Sequence, residues 1–256
     1  MTFAPEEIKS CCAAAYSSAA ARLLLGDSFH PGGAQLTSRL VRALGVGPGS
    51  VVVDVASGLG TSALQLARET GCEVVGVELA RENVEAARAA AEREGLAGRV
   101  RFVLGDAERL PIADRSVDGA LCECALCTFP DKAAAAAELT RVLRPGARLG
   151  LSDVTADRER LPAELSTLDA WIACLGDALP LQAIADLLGR AGLAVEAAER
   201  HDEALATLVE QVEGRLRAAR ALLSVDLEPW LALAGAAREA VATGALGYGV
   251  VVARKL

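Results

Sequence analysis

The chain has 256 residues, 52% of them hydrophobic, with a formal net charge of −8, only two histidines and seven cysteines. That length suits one elaborated domain, or a core with a cap. The acidic balance, without a basic cluster longer than a few residues, argues against nucleic acid and anionic membranes as partners, and no apolar run reaches the roughly 20 residues that span a bilayer. The opening MTFAPEEIKS is too acidic and polar for a secretory signal, so a cytoplasmic protein is expected, with its cysteines mostly as thiols.

Residues 1–45 read as an N-terminal helical arm or lid. An alanine-rich helix over 8–25 is broken by Gly26-Asp27-Ser28 and His30-Pro31-Gly32-Gly33, and a second helix follows at about 34–44. From residue 46 the pattern alternates: strand 51–55, helix 60–70, strand 73–78, helix 81–95, strands 99–103 and 117–121, helix 131–143, strand 147–153. Such alternation specifies a parallel sheet covered by helices on both faces, with ligands at the carboxyl ends of the strands. Beyond it, helices are expected over 161–175 and 179–191, a strand over 194–199, helices at about 203–223 and 228–242, and a last strand over 247–253. Residues 46–256 would thus form the main domain, with helical cap elements at about 155–192 and 203–244.

The stretch Val51–Gly60, VVVDVASGLG, is an apolar strand that ends at Asp54 and opens into a loop holding Gly58 and Gly60. Glycines there let a backbone approach a nucleotide-like ligand, and the next helix offers unpaired N–H groups. A second strand ends at Glu78, at the distance where a carboxylate binds ribose hydroxyls. Gly105-Asp106-Ala107-Glu108 follows the third. A dinucleotide fingerprint would need glycine at position 63, which is alanine.

The three segments together resemble the class I methyltransferases that use S-adenosylmethionine. Their acidic-x-Gly-x-Gly-x-Gly motif reads here Asp54-Val55-Ala56-Ser57-Gly58-Leu59-Gly60, with Ala56 in place of the first glycine, a change expected to tighten the loop slightly. The resemblance implies a doubly wound, mostly parallel seven-stranded Rossmann-like sheet whose last strand is antiparallel. It implies a cofactor site of Asp54, Ala56, Ser57, Gly58, Gly60, Glu78, Leu79, Asp106, Ala107 and Cys122. Glu78 would hold the ribose, Asp106 the adenine amino group with Ala107 lending an N–H, and Asp54 would shape the loop near the methionine amine.

The cysteines fall at Cys11, Cys12, Cys72, Cys122, Cys124, Cys127 and Cys174. One C-x-x-C pair, Cys124 and Cys127, is insufficient for a structural zinc site. The segments CALCTFPDK from Cys124, ELTRVLRPG from Glu138, SDV from Ser152, and Leu161-Pro162 leading to Trp171-x-x-Cys174-Leu175 resemble the arsenite methyltransferases. That resemblance, over about 11–195, implies three thiolates on trivalent arsenic: Cys12 (or its neighbour Cys11), Cys124 and Cys174. Cys124 is favoured by its register to Pro130, although Cys122 and Cys127 offer further thiols. Trp171 would be a pocket wall and Cys72 a buried core residue. A metalloid or small-molecule substrate and a cellular thiol reductant are the partners expected. Soft trivalent arsenic prefers thiolates and keeps a lone pair able to attack a methyl carbon without a general base. Two alternatives stand beside this. A small organic acceptor methylated at O, N or C would need a base, for which Glu123, His30 and His201 are candidates. A protein of another class would use its thiols only to sequester a soft metal.

Overall fold

The computed structural model describes residues 4–26, 29–165, 167, 170, 174–222 and 227–256. In chain order it runs α1 (Pro5–Ser17), α2 (Ala19–Leu25), α3 (Gly33–Leu44), β1 (Val51–Val55), α4 (Thr61–Thr70), β2 (Glu73–Glu78), α5 (Arg81–Arg93), β3 (Val100–Leu104), β4 (Val117–Glu123), α6 (Lys132–Val142) and β5 (Leu143–Ala156). Then come α7 (Leu181–Arg190), β6 (Leu193–Arg200), α8 (Asp202–Leu222), α9 (Glu228–Ala242) and β7 (Leu246–Lys255).

The seven strands form one sheet in the order β3-β2-β1-β4-β5-β7-β6. Strand β1 pairs in parallel with β2 on one side and β4 on the other. The chain direction across the sheet therefore reverses between β1 and β4, where a crevice opens at the carboxyl ends of the strands. Strand β7 lies antiparallel between β5 and β6, as the resemblance implied. Both faces of β1 are buried, which is why it reads as an unbroken apolar run. Val53 and Val55 pack with Leu139 and Leu188 on one face, and Val52 with Leu66 and Phe102 on the other.

Two glycines set the shape beside the crevice. A Cβ on Gly60, which has φ 82°, would lie 2.5 Å from the Phe102 ring, and one on Gly76 would lie 2.3 Å from it and 2.7 Å from Ser57 Oγ. The ring thus packs where side chains on β2 and the loop would otherwise stand.

Two local expectations are corrected, in the arm and in β5. The arm is two helices, because Ser18 is extended and its Oγ caps Ala21 N instead of continuing the turn. Part of the helix expected over 161–175 lies outside the described residues; among those described, a short helical turn occupies Ala163–Leu165, Ala170 is helical, and Cys174 sits at φ 65°. Trp171 lies outside the described residues. Strand β5 is longer than expected, since it continues along β7 as far as Ala156. Helices α8 and α9 are inserted between the last two strands, and α8 reaches the arm, where Arg215 donates to the Leu24 carbonyl. Among the described residues no helix is long and apolar enough to cross a membrane.

The Phe102 contact is testable by a double-mutant cycle. Gly76→Ala should lower unfolding stability by about 1–3 kcal/mol, and Phe102→Leu in the same chain should recover part of that loss. Denaturant unfolding giving strictly additive changes would show that the ring does not set the constraint.

Candidate active site

The loop after β1 holds Ala56 at φ 58°, Gly58 at 52° and Gly60 at 82°. Ala56 fills the place of the motif's first glycine. It adopts the left-handed conformation that a glycine would take freely, at a strain of about 1–2 kcal/mol. Glu78, only 8% exposed, clamps this loop to the end of β2: its Oε2 accepts Gly58 N at 2.9 Å and its Oε1 accepts Ala80 N at 2.8 Å. Burial raises its pKa even so. Asp54 is 2% exposed, and burial, then the charges of Glu123 and Glu78, pushes its pKa well up. Asp106 accepts Glu108 N at 2.9 Å through Oδ1 and Lys9 Nζ at 2.8 Å through Oδ2.

Asp54, Ala56, Ser57, Gly58, Glu78, Leu79, Asp106 and Ala107 line one cleft at the carboxyl edge of the sheet. Two residues assigned to the cofactor do not. Gly60 serves the turn and the Phe102 contact. Cys122 is fully buried with Val55 and Leu151, because β4 runs on to Glu123 and alternation turns residue 122 into the core.

The cleft fits a cationic, polar cofactor. Asp54 Oδ2, Ser57 Oγ and Asn83 Oδ1 are buried there without a partner, and among the described residues neither Asp54 nor Glu78 has an ion-pair partner. Buried carboxylates without cations favour a ligand that brings positive charge. S-Adenosylmethionine carries both a sulfonium and an ammonium.

At the inner end of the same cleft the thiols gather. Cys12 on α1 and Cys124 after β4 both line it, and Cys127 and Cys174 are buried behind. Cys124 and Cys174 hold positive φ, 52° and 65°, unusual for side-chain-bearing residues and common at functional sites. Cys174 is the charged member: hydrogen bonds from the thiols of Cys124 and Cys127, and from Tyr16 Oη at 3.1 Å, hold its pKa well below the usual thiol range despite burial, with help from the Lys132 charge. Its neighbours move the other way. A hydrogen bond from Cys127 favours a Cys124 thiolate, but donation to Cys174 and burial push Cys124 well up. Burial, then donation to Cys124 and Cys174, raises Cys127. Burial and the nearby Cys174 push Cys12 up to about 12. Lys132 donates to Phe129 O at 2.9 Å and pairs with Asp177 at 2.5 Å, pinning the loop that carries Cys127. Asp153 accepts Cys127 N at 3.0 Å and is pushed up to about 7 by burial and the Cys174 charge. Among the described residues no three cysteine, histidine or acidic groups are already spaced to hold a metal ion.

Of the base candidates, His30 and Glu123 line the cleft, with Nε2 3.7 Å from Oε2, and Thr37 donates to Glu123 at 3.1 Å. His201 does not line it; it faces Glu199 instead. Cys11 is half-buried and also outside the cleft, and Cys72 is wholly buried in the core, as expected. Lys9 and Tyr16, absent from the sequence-based set, lie three residues before and four after Cys12 on one helix face. That spacing was the available signal.

Residues 53–151 match the methyltransferase domain family. Methyltransferase GfsG of Streptomyces halstedii is 40% identical over 128 residues, 50% of this chain and 46% of its own length. O-methyltransferase cnsE of Penicillium expansum is 39% identical over 123 residues, 46% of this chain and 45% of its own. The chain thus spans about half the length of the curated relatives it matches. Among solved structures, geranyl diphosphate methyltransferase in complex with GPP and sinefungin superposes at TM-score 0.81 with 19% identity, covering 97% of this chain and 98% of that one. The [4+2]-cyclase SpnF superposes at 0.78 with 22% identity, covering 97% and 96%. Residues 53–151 are thus similar to a methyltransferase domain, on a fold shared with solved methyltransferases.

Removing the Tyr16 hydroxyl should raise the Cys174 pKa. A hydrogen bond to a charged group contributes about 1.5–3 kcal/mol, or about 1–2 pKa units. Thiolate absorbance near 240 nm, titrated in the parent and Tyr16→Phe proteins, reads this shift. An unchanged curve would remove Tyr16 from the thiolate's environment.

Proposed function

We propose that the protein is an S-adenosylmethionine-dependent methyltransferase whose acceptor is trivalent arsenic held by Cys12, Cys124 and Cys174. The observation that carries this reading is the convergence of three distant cysteine segments at one end of the cofactor cleft, where Cys12 and Cys124 line it and Cys174 lies behind them with its pKa held well below the usual thiol range. A purely packing role does not require a buried thiolate, or positive φ at two of the cysteines.

When bound, the cofactor supplies an electrophilic methyl group on a sulfonium. In this reading Glu78 binds the ribose with the second lone pairs of its two oxygens. Asp106 and the Ala107 N–H read the adenine, and Asp54 faces the methionine ammonium. The thiols hold the acceptor. Arsenite loses one hydroxide for each arsenic–sulfur bond formed, and Cys174, already charged, is the first nucleophile. Cys124 and then Cys12 give up their protons, so that two of the displaced hydroxides leave as water and the third leaves as hydroxide, while Cys127 keeps its proton. Cys12 closes the set by a small movement of α1, since the ligands are neighbours rather than a finished cage. The acceptor's lone pair needs no base, so positioning dominates the catalysis. Attack leaves a pentavalent methylarsonium; two of its thiolates leave as a disulfide, which returns the arsenic to the trivalent state, and a cellular thiol reductant then reduces the disulfide and exchanges the product off the protein.

A second reading has its own observation. His30 and Glu123 face each other in the cleft, and His30 Nδ1 lies 3.2 Å from the Pro31 carbonyl. With the proton on Nδ1, Nε2 is an acceptor, 3.4 Å from the Thr37 and Ser62 hydroxyls, and can serve as a base for a small organic acceptor that displaces them. The O-methyltransferases among the relatives agree with that acceptor class.

Incubation with arsenite, S-adenosylmethionine and a thiol, followed by arsenic speciation, separates the two. Cys124→Ser and Cys174→Ser should each abolish arsenic methylation while leaving S-adenosylhomocysteine affinity unchanged, because a serine hydroxyl cannot replace a thiolate on a soft centre. Full activity in both variants would hand the site to the organic acceptor. Glu78→Ala should weaken cofactor binding by tens-fold or more, as loss of about 2–3 kcal/mol of charge-assisted hydrogen bonding requires; calorimetry with unchanged affinity would withdraw that role.

A further inference from the structure

Helix α1 touches both halves of the cleft through one face. Lys9, Cys12 and Tyr16 follow at i, i+3 and i+7, so about 10 Å of helix runs from the first to the last. At one end Lys9 Nζ is 2.8 Å from Asp106 Oδ2 and 2.5 Å from Glu108 Oε2. At the other, Tyr16 Oη meets Cys174 Sγ at 3.1 Å, and the Tyr16 ring leans on Phe29 with centroids 5.9 Å apart. Cys12 lies between them. Ile8 is the only fully buried side chain of α1. The helix is thus held largely by its two polar ends.

The Lys9 end stands on the residues expected to read the adenine. Asp106 and Glu108 are carboxylates that reach a single ammonium, so without it two negative charges would face each other beside the base. Both are tied to backbone as well, Asp106 to Glu108 N and Glu108 to Asp131 N, which leaves Lys9 as the mobile partner. Each carboxylate oxygen keeps a lone pair for a further donor.

We propose that Lys9 is a positioning residue that latches α1 over the bound cofactor, so that occupancy of the adenine site sets Cys12 and Tyr16 in place at the thiol end. Cofactor binding and assembly of the acceptor site are then one coupled event. The latch strengthens when adenine covers the ion pairs, because excluding water from them raises their Coulomb energy. By reciprocity, fixing the thiol end must tighten the cofactor. The proposal rests on the cofactor cleft and holds for either acceptor.

The test follows alkylation of Cys12 by N-ethylmaleimide, at the peptide level in a Cys11→Ser background, with and without saturating S-adenosylhomocysteine. Occupancy should slow labelling about fivefold or more in the background protein and less than twofold once Lys9→Met is added. Lys9→Met should also weaken S-adenosylhomocysteine binding, and Lys9→Arg should restore both. Glu108→Gln removes one of the two ion pairs, leaving Lys9 on Asp106, while keeping an acceptor for Asp131 N. It should give protection between that of the background protein and that of Lys9→Met, and unchanged protection overturns the proposal if Lys9→Met does not fold. The proposal is overturned by labelling that ignores S-adenosylhomocysteine in the background protein, or by full protection in folded Lys9→Met. Tighter cofactor binding in Lys9→Met would overturn it too, since Lys9 would then block the site rather than close it.

Discussion

Parallel pairing of β1 with β2 and β4 sets three carboxylates side by side at one edge of the sheet, and the cleft is organised around that fact. Asp54, Glu78 and Glu123 end their strands within reach of one another's fields, and Asp54 is pushed well up by burial and by the other two. Such a row is unfavourable when empty, because among the described residues no lysine or arginine pairs with any of the three and only His30 stands beside Glu123. Its relief is a ligand carrying positive charge. The glycine-bearing loop follows from the same need: Glu78 can clamp it only if Gly58 N turns toward the carboxylate, and that turn requires left-handed residues from Ala56 to Gly60.

The thiol end uses the opposite solution. Instead of separate anions it holds one thiolate and shares its charge through donors: two thiols and a phenol. Hydrogen bonds to a charged group in a low-dielectric interior are worth far more than in water, so a single charge is affordable there. Under the proposed arsenic reading, removing those protons in favour of a soft centre would convert the hydrogen-bonded cluster into a ligand set without importing charged groups. The Lys132 ammonium, fixed by Asp177 and the Phe129 carbonyl, supplies the compensating field.

Much of this was legible in the chain. Strands buried on both faces announce themselves as apolar runs, and α9, with Pro229 just inside its start, falls over the expected 228–242. The acidic strand ends were legible because their spacing reflects the depth of one strand–helix unit. Other features depend on partners distant in sequence. The break at Ser18 was hidden by alanines, which carry no hydrophobic register. Cys122 was misplaced because β4 runs two residues further than expected. Lys9 and Tyr16 carry no motif; only the folding of α1 onto Asp106 and Cys174 gives them meaning.

The central claim is that the thiol cluster beside the cofactor cleft binds the acceptor directly. X-ray absorption at the arsenic edge, on protein loaded with one equivalent of arsenite and S-adenosylhomocysteine, tests this most directly. The account predicts three sulfur neighbours per arsenic, falling to two, with an oxygen returned, in Cys124→Ser. Arsenic that keeps only oxygen neighbours, or a sulfur count unmoved by Cys124→Ser, would contradict it.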